Sequence, residues 1–232
     1  SVKIFLMYYD RYTEATTSNL LKINHTVLCH SNKDKFNCIN KNAEIIETKQ
    51  PKGIQNNFNY GLSLLKENEW GVFLSDDLVS GTEDVNVVLS RFIKLVDSAD
   101  ETGVKLIGMN SIGNPFYVKN KYSKFGLVDG RCFAIKKTSF VFHSHINTIP
   151  DYYASAYHLK KYGGNLIANE FYLDFKRYEK GGLGTVNERA KDKIKDVKLM
   201  LNLFPNNTKI KDKPNEPKNS HIIIKLVKIV HI

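Results

Sequence analysis

The feature that most constrains this chain is a succession of short apolar runs, each stopped by polar or acidic residues. Val2–Tyr8 (VKIFLMY), His25–His30 (HTVLCH), Ala43–Glu47, Trp70–Leu74 (WGVFL) and Val104–Met109 are each five to seven residues long. Runs of that length with polar boundaries predict buried strands, because helices need more residues to cover a core. Helical periodicity fills the gaps between them. Gly53–Lys66 carries Ile54, Phe58, Leu62 and Leu65 at steps of 4, 4 and 3, and Glu83–Val96 carries Val87, Val88, Phe92, Leu95 and Val96 on one face. Strand–helix–strand alternation predicts an α/β, Rossmann-like domain with a mixed, mainly parallel sheet flanked by helices.

The second half is less regular. Phe116–Tyr122, Leu127–Ile135 and Asn165–Phe175 have strand character. Pro150-Asp151 is expected to open a helix over Tyr152–Tyr162, with Asp151 as its N-cap and Gly163-Gly164 as its end. Arg189–Phe204 reads as a charged helix. Lys209–Asn219 (KIKDKPNEPKN) has linker composition, and His221–Ile232 (HIIIKLVKIVHI) is amphipathic if helical, although its Ile and Val content equally permits a strand. These features divide the chain into a domain at 1–205, a charged linker at 206–219 and a tail at 220–232.

Composition narrows the partners. Thirty-four Lys and Arg against 24 Asp and Glu leave a net charge of +10, which favours an anionic partner such as nucleic acid, phosphates or an acidic membrane. No apolar run approaches the ~20 residues of a membrane span, so no transmembrane segment is expected. The 3 cysteines form no C-x-x-C pair, which argues against a disulfide scaffold or a structural zinc site. With no leader-like pattern at the start, a cytoplasmic protein is expected.

The chemistry concentrates at Ser75-Asp76-Asp77, directly after the WGVFL run. Ligands of parallel α/β sheets bind at the carboxyl ends of strands. Adjacent carboxylates there repel unless a counter-charge joins them, and a divalent cation is the usual one. The competing account is that Asp76 or Asp77 simply caps the following helix.

The stretch Gly53–Asp77 (GIQNNFNYGLSLLKENEWGVFLSDD) resembles the nucleotide-sugar glycosyltransferases of the GT-A fold. In that family an Asn-bearing helix precedes a strand ending in an acidic metal motif, usually Asp-x-Asp; here Ser75 stands where the first Asp would be. The resemblance implies a divalent metal (Mn or Mg) on Asp77, with Asp76 on the metal or the ribose. It also implies a nucleotide-sugar donor, a UDP-sugar in the first instance, near Asn56 and Asn57. Leu127–Ile135 is similar to the family's acceptor-side strand, and Pro150-Asp151-Tyr152-Tyr153 to its acidic helix start. Asp151 is then the implied general base, with Asp129 as the next candidate. Residues 150–205, including Arg177–Gly184 and Arg189, look like the TET-associated branch, whose phage members are linked to sugar transfer onto hydroxymethylated pyrimidines in DNA.

Other motifs admit two readings. Gly181–Gly184 is either a surface loop or a lid over the diphosphate, with Arg189 or Lys180 supplying charge. Tyr8, Tyr9 or Tyr12 can stack on a uracil ring or belong to the core. Tyr117, Lys119, Lys121, Tyr122 and Lys124 suit phosphate contact plus base stacking, or a solvated edge strand. His143 and His145 lack a nearby third zinc ligand. The leading expectation is a metal-dependent glycosyltransferase acting on 5-hydroxymethylcytosine or 5-hydroxymethyluracil in double-stranded DNA. The alternatives are a polysaccharide, lipid-linked or protein acceptor, the tail giving peripheral membrane contact through Lys225 and Lys228, or a non-enzymatic nucleic-acid-binding module.

Overall fold

The computed structural model of the protein describes residues 1–8, 16–30, 39–51, 53–81, 84–110, 120–175, 186–211 and 223–226. Its centre is an eight-stranded sheet of order β3-β2-β1-β4-β8-β6-β9-β7. The strands are β1 Val2–Tyr8, β2 His25–Cys29, β3 Ala43–Glu47, β4 Trp70–Ser75, β6 Leu106–Met109, β7 Tyr122–Ser123, β8 Cys132–Lys136 and β9 Leu166–Ala168. The first four run parallel, β8 lies antiparallel between β4 and β6, β9 is parallel to β6, and β7 closes the edge antiparallel. Two small ribbons lie outside it: β5 Leu78–Gly81 with β10 Leu173–Phe175, and β11 Thr208–Lys211 with β12 Ile223–Leu226. The helices are α1 Thr16–Leu20, α2 Ile54–Ser63, α3 Val85–Ser98, α4 Pro150–Tyr162 and α5 Val186–Leu203. This is the Rossmann-like α/β architecture that the alternation predicts.

The continuous apolar character of β1 follows from burial on both faces. Ile4, Leu6 and Tyr8 point into one core with Val72, Leu74, Val88 and Phe92, so α3 covers that face. Phe5 and Met7 point into the opposite core with Phe58, Leu62 and Phe73, under α2. There Phe73 stacks on Phe133 at 5.2 Å, and Phe58 meets Phe73 edge-on at 5.6 Å. A third core joins α4 to α5 through Ile149, Ala156, Val197 and Met200.

Several expected elements are redrawn. Of Leu127–Ile135 only the part from Cys132 is strand. Asp129 accepts the Arg131 backbone N–H at 3.0 Å, a local turn bond that competes with a ladder. Asn165–Phe175 divides into β9 and β10, which belong to different sheets. Asn207 and Thr208 are buried, and Thr208–Lys211 form a strand inside the stretch read as linker. Residues 223–226 take the strand option. Residues 116–119, 212–222 and 227–232 lie outside the described residues. Among those described, no helix is long and apolar enough to cross a membrane.

Candidate active site at the carboxyl edge of the sheet

β4 delivers Ser75, Asp76 and Asp77 to the carboxyl edge of the parallel strands. Because β8 is antiparallel, its approach, Asp129-Gly130-Arg131, arrives at the same edge. The Ser75 N–H donates to the Arg131 carbonyl at 2.8 Å, joining the two. From the α3 side, the Thr17 hydroxyl donates to the Asp76 carbonyl at 2.5 Å and accepts from the Leu78 N–H at 3.3 Å. The Ser75 hydroxyl donates to Asp77 Oδ1. Asp76 and Asp77 cap no helix: β5 follows them, and the cap of α3 is Asp84, which accepts from the Asn86 N–H.

Arg131 is the charged centre of this edge. Its Nε and Nη2 donate to Asp129 Oδ1 and Oδ2 at 2.8 and 2.5 Å, a bidentate pair. The hydrogen bonds and charge of Asp129, with a smaller contribution from Asp77, hold the guanidinium proton even more firmly than usual. The face of the Phe175 ring lies 5.6 Å away. Asp129, the second candidate for the general base, is paired with Arg131. Sequence reasoning gave Arg131 no role, although a carboxylate and an Arg two residues apart across a glycine were the available signal.

Asp151 lies nearby at the start of α4. The N-cap is Ile149, with extended φ and no side-chain acceptor, and Pro150 is the first helical residue. Asp151 is therefore inside the first turn, a correction to its reading as the cap. Its Oδ1 accepts the Tyr152 N–H at 3.0 Å. Gly130 packs on it so closely that a Cβ there would sit 3.2 Å from Asp151 Cβ. Asp151, itself partly exposed, borders a void of about 10 Å³ with an apolar lining that includes Phe58, Phe133 and Phe142. Burial first, and the charge of Asp129 second, push the Asp151 pKa up to about 7, against the backbone N–H groups of Tyr152, Asp151 and Gly130. At this helix start desolvation outweighs the amides.

The asparagines of α2 serve the fold. Asn57 is 1% exposed and accepts from the Thr48 hydroxyl at 2.7 Å, so it is enclosed rather than presented to a nucleotide. Asn56 donates to the Pro51 carbonyl at 3.0 Å. Asn59 brackets Phe142, accepting from its N–H at 2.7 Å and donating to its carbonyl at 2.8 Å. Tyr8 reaches the correct edge but is 6% exposed and packed in the α3-side core. Arg189 lies on α5, with its side chain outside the described residues; Tyr9, Tyr12, Tyr117, Lys119 and residues 180–184 are themselves outside them. His143 accepts the His145 N–H through Nδ1 at 3.2 Å. Among the described residues, no three His, Cys, Asp or Glu side chains gather to hold a metal by themselves.

No protein-family model matches the chain. No curated protein matches it. A crystal structure of a mycobacterial protein is similar, covering 99% of this chain and 84% of that one, with a TM-score of 0.57 and 9% identity. At that identity the likeness extends to the fold alone.

Proposed function

We propose that this chain is a GT-A-type glycosyltransferase that moves a sugar from a nucleotide-sugar donor to a hydroxymethylated pyrimidine in DNA. The observation that supports this reading most is one sheet edge holding two kinds of carboxyl. Asp76 and Asp77 follow a parallel strand, and Asp151, with a pKa near 7, lies in the first turn of α4 against Gly130 of the segment that reaches the same edge. A carboxyl with a strongly raised proton affinity on an edge that also carries metal-ligating residue types marks acid–base chemistry.

The donor set suits a divalent ion. Asp77 and Asp76 supply hard oxygen ligands, and Mn or Mg ions commonly take one or two carboxylates and complete their shell with water and substrate phosphates. Bound there, such an ion would offset the charge of the departing diphosphate. Arg131 keeps a fixed positive charge between Asp129 and Asp77, easing repulsion along the edge.

Asp151 is the base in this scheme. The acceptor hydroxyl gives its proton to the Asp151 carboxylate. Its oxygen bonds to the anomeric carbon as the bond from that carbon to the diphosphate breaks, and the diphosphate leaves with the electron pair. A base with a pKa near the working pH combines a substantial ionised fraction with a strong pull on the proton. Desolvation, and then the charge of Asp129, maintain that affinity.

The DNA acceptor rests on the net charge of +10 and on the family resemblance. A target base in duplex DNA would have to leave the stack to bring its hydroxymethyl group to Asp151. A cytoplasmic setting supplies both nucleotide sugars and DNA. The test is incubation of the chain with Mn and a panel of sugar nucleotides, UDP-sugars first, on 5-hydroxymethylcytosine and 5-hydroxymethyluracil DNA. Nucleoside mass spectrometry should show a hexose or pentose mass gain. Transfer only to a polysaccharide, lipid or protein acceptor would retain the chemistry and discard DNA; DNA binding without turnover of any donor would favour a non-enzymatic module.

A further inference from the structure

Asp196 is an acidic side chain that the scheme above does not use. It lies on α5 and is 2% exposed. Its Oδ2 accepts three hydrogen bonds from one short loop: the Asn147 N–H at 3.0 Å, the Thr148 N–H at 2.6 Å and the Thr148 hydroxyl at 2.6 Å. A second clamp reaches the same loop from α2. Gln55, 1% exposed, donates through Nε2 to the Ser144 carbonyl at 3.0 Å and to Asn147 Oδ1.

The loop leads directly into Ile149, Pro150 and Asp151. Ile149 has no side-chain acceptor with which to cap α4, and no side-chain cap bond is made. A helix start normally fixes its entry through such a bond. Here the restraint is supplied one step upstream and from another helix. Pro150 has a fixed φ, so the backbone held at Thr148 passes its orientation to Asp151 with little slack. Ile146, 0% exposed, and Ile149, 6% exposed, anchor the same segment in the α4–α5 core.

We propose that Asp196 is a positioning residue: by holding Asn147 and Thr148 from α5, it sets where α4 begins and hence where the Asp151 carboxyl faces the acceptor. The catalytic half of this proposal rests on the glycosyltransferase reading; the mechanical half does not. Small displacements of a reacting group cost rate far more than binding, on the order of 100-fold for about 1 Å.

The test uses the full chain with Asp196→Ala and Asp196→Asn, read by amide hydrogen exchange over 149–153 and by steady-state kinetics. Asp196→Ala is expected to speed exchange at 149–153 at least about 10-fold, and to lower kcat about 100-fold with the nucleotide-sugar KM within about 2-fold. Asp196→Asn keeps an acceptor oxygen of the same shape but loses the charge, and should bring kcat back only to about 3- to 10-fold below native. A purely structural staple would lower the melting temperature and leave kcat intact below it. Native exchange at 149–153, or native kcat in folded Asp196→Ala, overturns the proposal. If Asp196→Ala does not fold, Asp196→Asn decides: an intermediate kcat at unchanged KM supports the proposal, and a native kcat overturns it. A native chain that transfers no sugar to any acceptor sinks the glycosyltransferase reading, and the exchange data then judge the clamp alone.

Discussion

At the scale of single residues, the site is a balance of charges around one sheltered carboxyl. Asp151 must be ionised to accept a proton. Turnover should therefore rise with pH through about 7 and level off above it. Asp151→Asn preserves shape and should lower kcat about 100-fold or more while donor binding persists, measured by single-turnover kinetics and calorimetry. The neighbouring charge tunes this limb. The negative Asp129 raises the Asp151 pKa, so Asp129→Asn should move the acid limb to lower pH. Arg131→Met leaves Asp129 uncompensated and should move the limb up. Limbs that stay in place in both variants would show that Asp129 does not reach Asp151 electrostatically. The acidic pair after WGVFL was visible as chemistry from residue types alone. The raised proton affinity of Asp151 was not, because burial in the fold and the charge of Asp129 set it, and neither is written in the residues around position 151.

At the scale of elements, close packing decides the geometry. α2 lies tight on the sheet at Gly61, where a Cβ would fall 2.6 Å from Phe73 Cε1 and 3.1 Å from Leu28. Gly61→Ala should cost about 1–3 kcal/mol in urea unfolding, the usual range for overpacking, despite alanine's better helix propensity. A stability gain would mean that α2 can lift off without penalty. α4 carries a second sheltered group. His158 is 0% exposed, bonds the Ala154 carbonyl through Nδ1 at 2.7 Å, and burial lowers its pKa to about 4. The unfolded chain binds that proton more readily, so His158 contributes a loss of stability as pH falls from about 6.5 toward 4, on the order of 2–3 kcal/mol. His158→Phe should remove that part of the acid-side slope; an unchanged slope would assign it to other groups. Contiguous apolar strands such as β1 and β4, and the periodic α2 and α3, were legible because each is specified within one window. The antiparallel insertion of β8 between β4 and β6 was not, since a strand's partner is a non-local choice. Asn165–Phe175 reads as continuous because nothing local says that its two halves join different sheets.

At the scale of the whole molecule, charge and topology act together. The sheet brings Asp76, Asp77 and Asp129 to one edge, while the chain as a whole carries +10. DNA affinity should fall steeply between 50 and 200 mM salt, by about 10³-fold if six phosphates are neutralised, measured by fluorescence anisotropy. A salt-independent affinity would separate the charge from DNA recognition. The parallel β3-β2-β1-β4 order brings Asp76 and Asp77 to the edge where such sheets bind ligands, and the reversed β8 brings Arg131 and Gly130 to meet them.

In the proposed reading this edge is a metal-dependent sugar-transfer centre. The most direct measurement is the rate of nucleoside diphosphate release from the donor, with hydroxymethylated DNA present, for the native chain in Mn, the native chain in excess chelator, and Asp77→Ala in Mn. Native release in Mn should be fastest, with chelation and Asp77→Ala each lowering it by about 2–4 orders of magnitude while circular dichroism shows an intact fold. Equal rates in all three samples would contradict the claim.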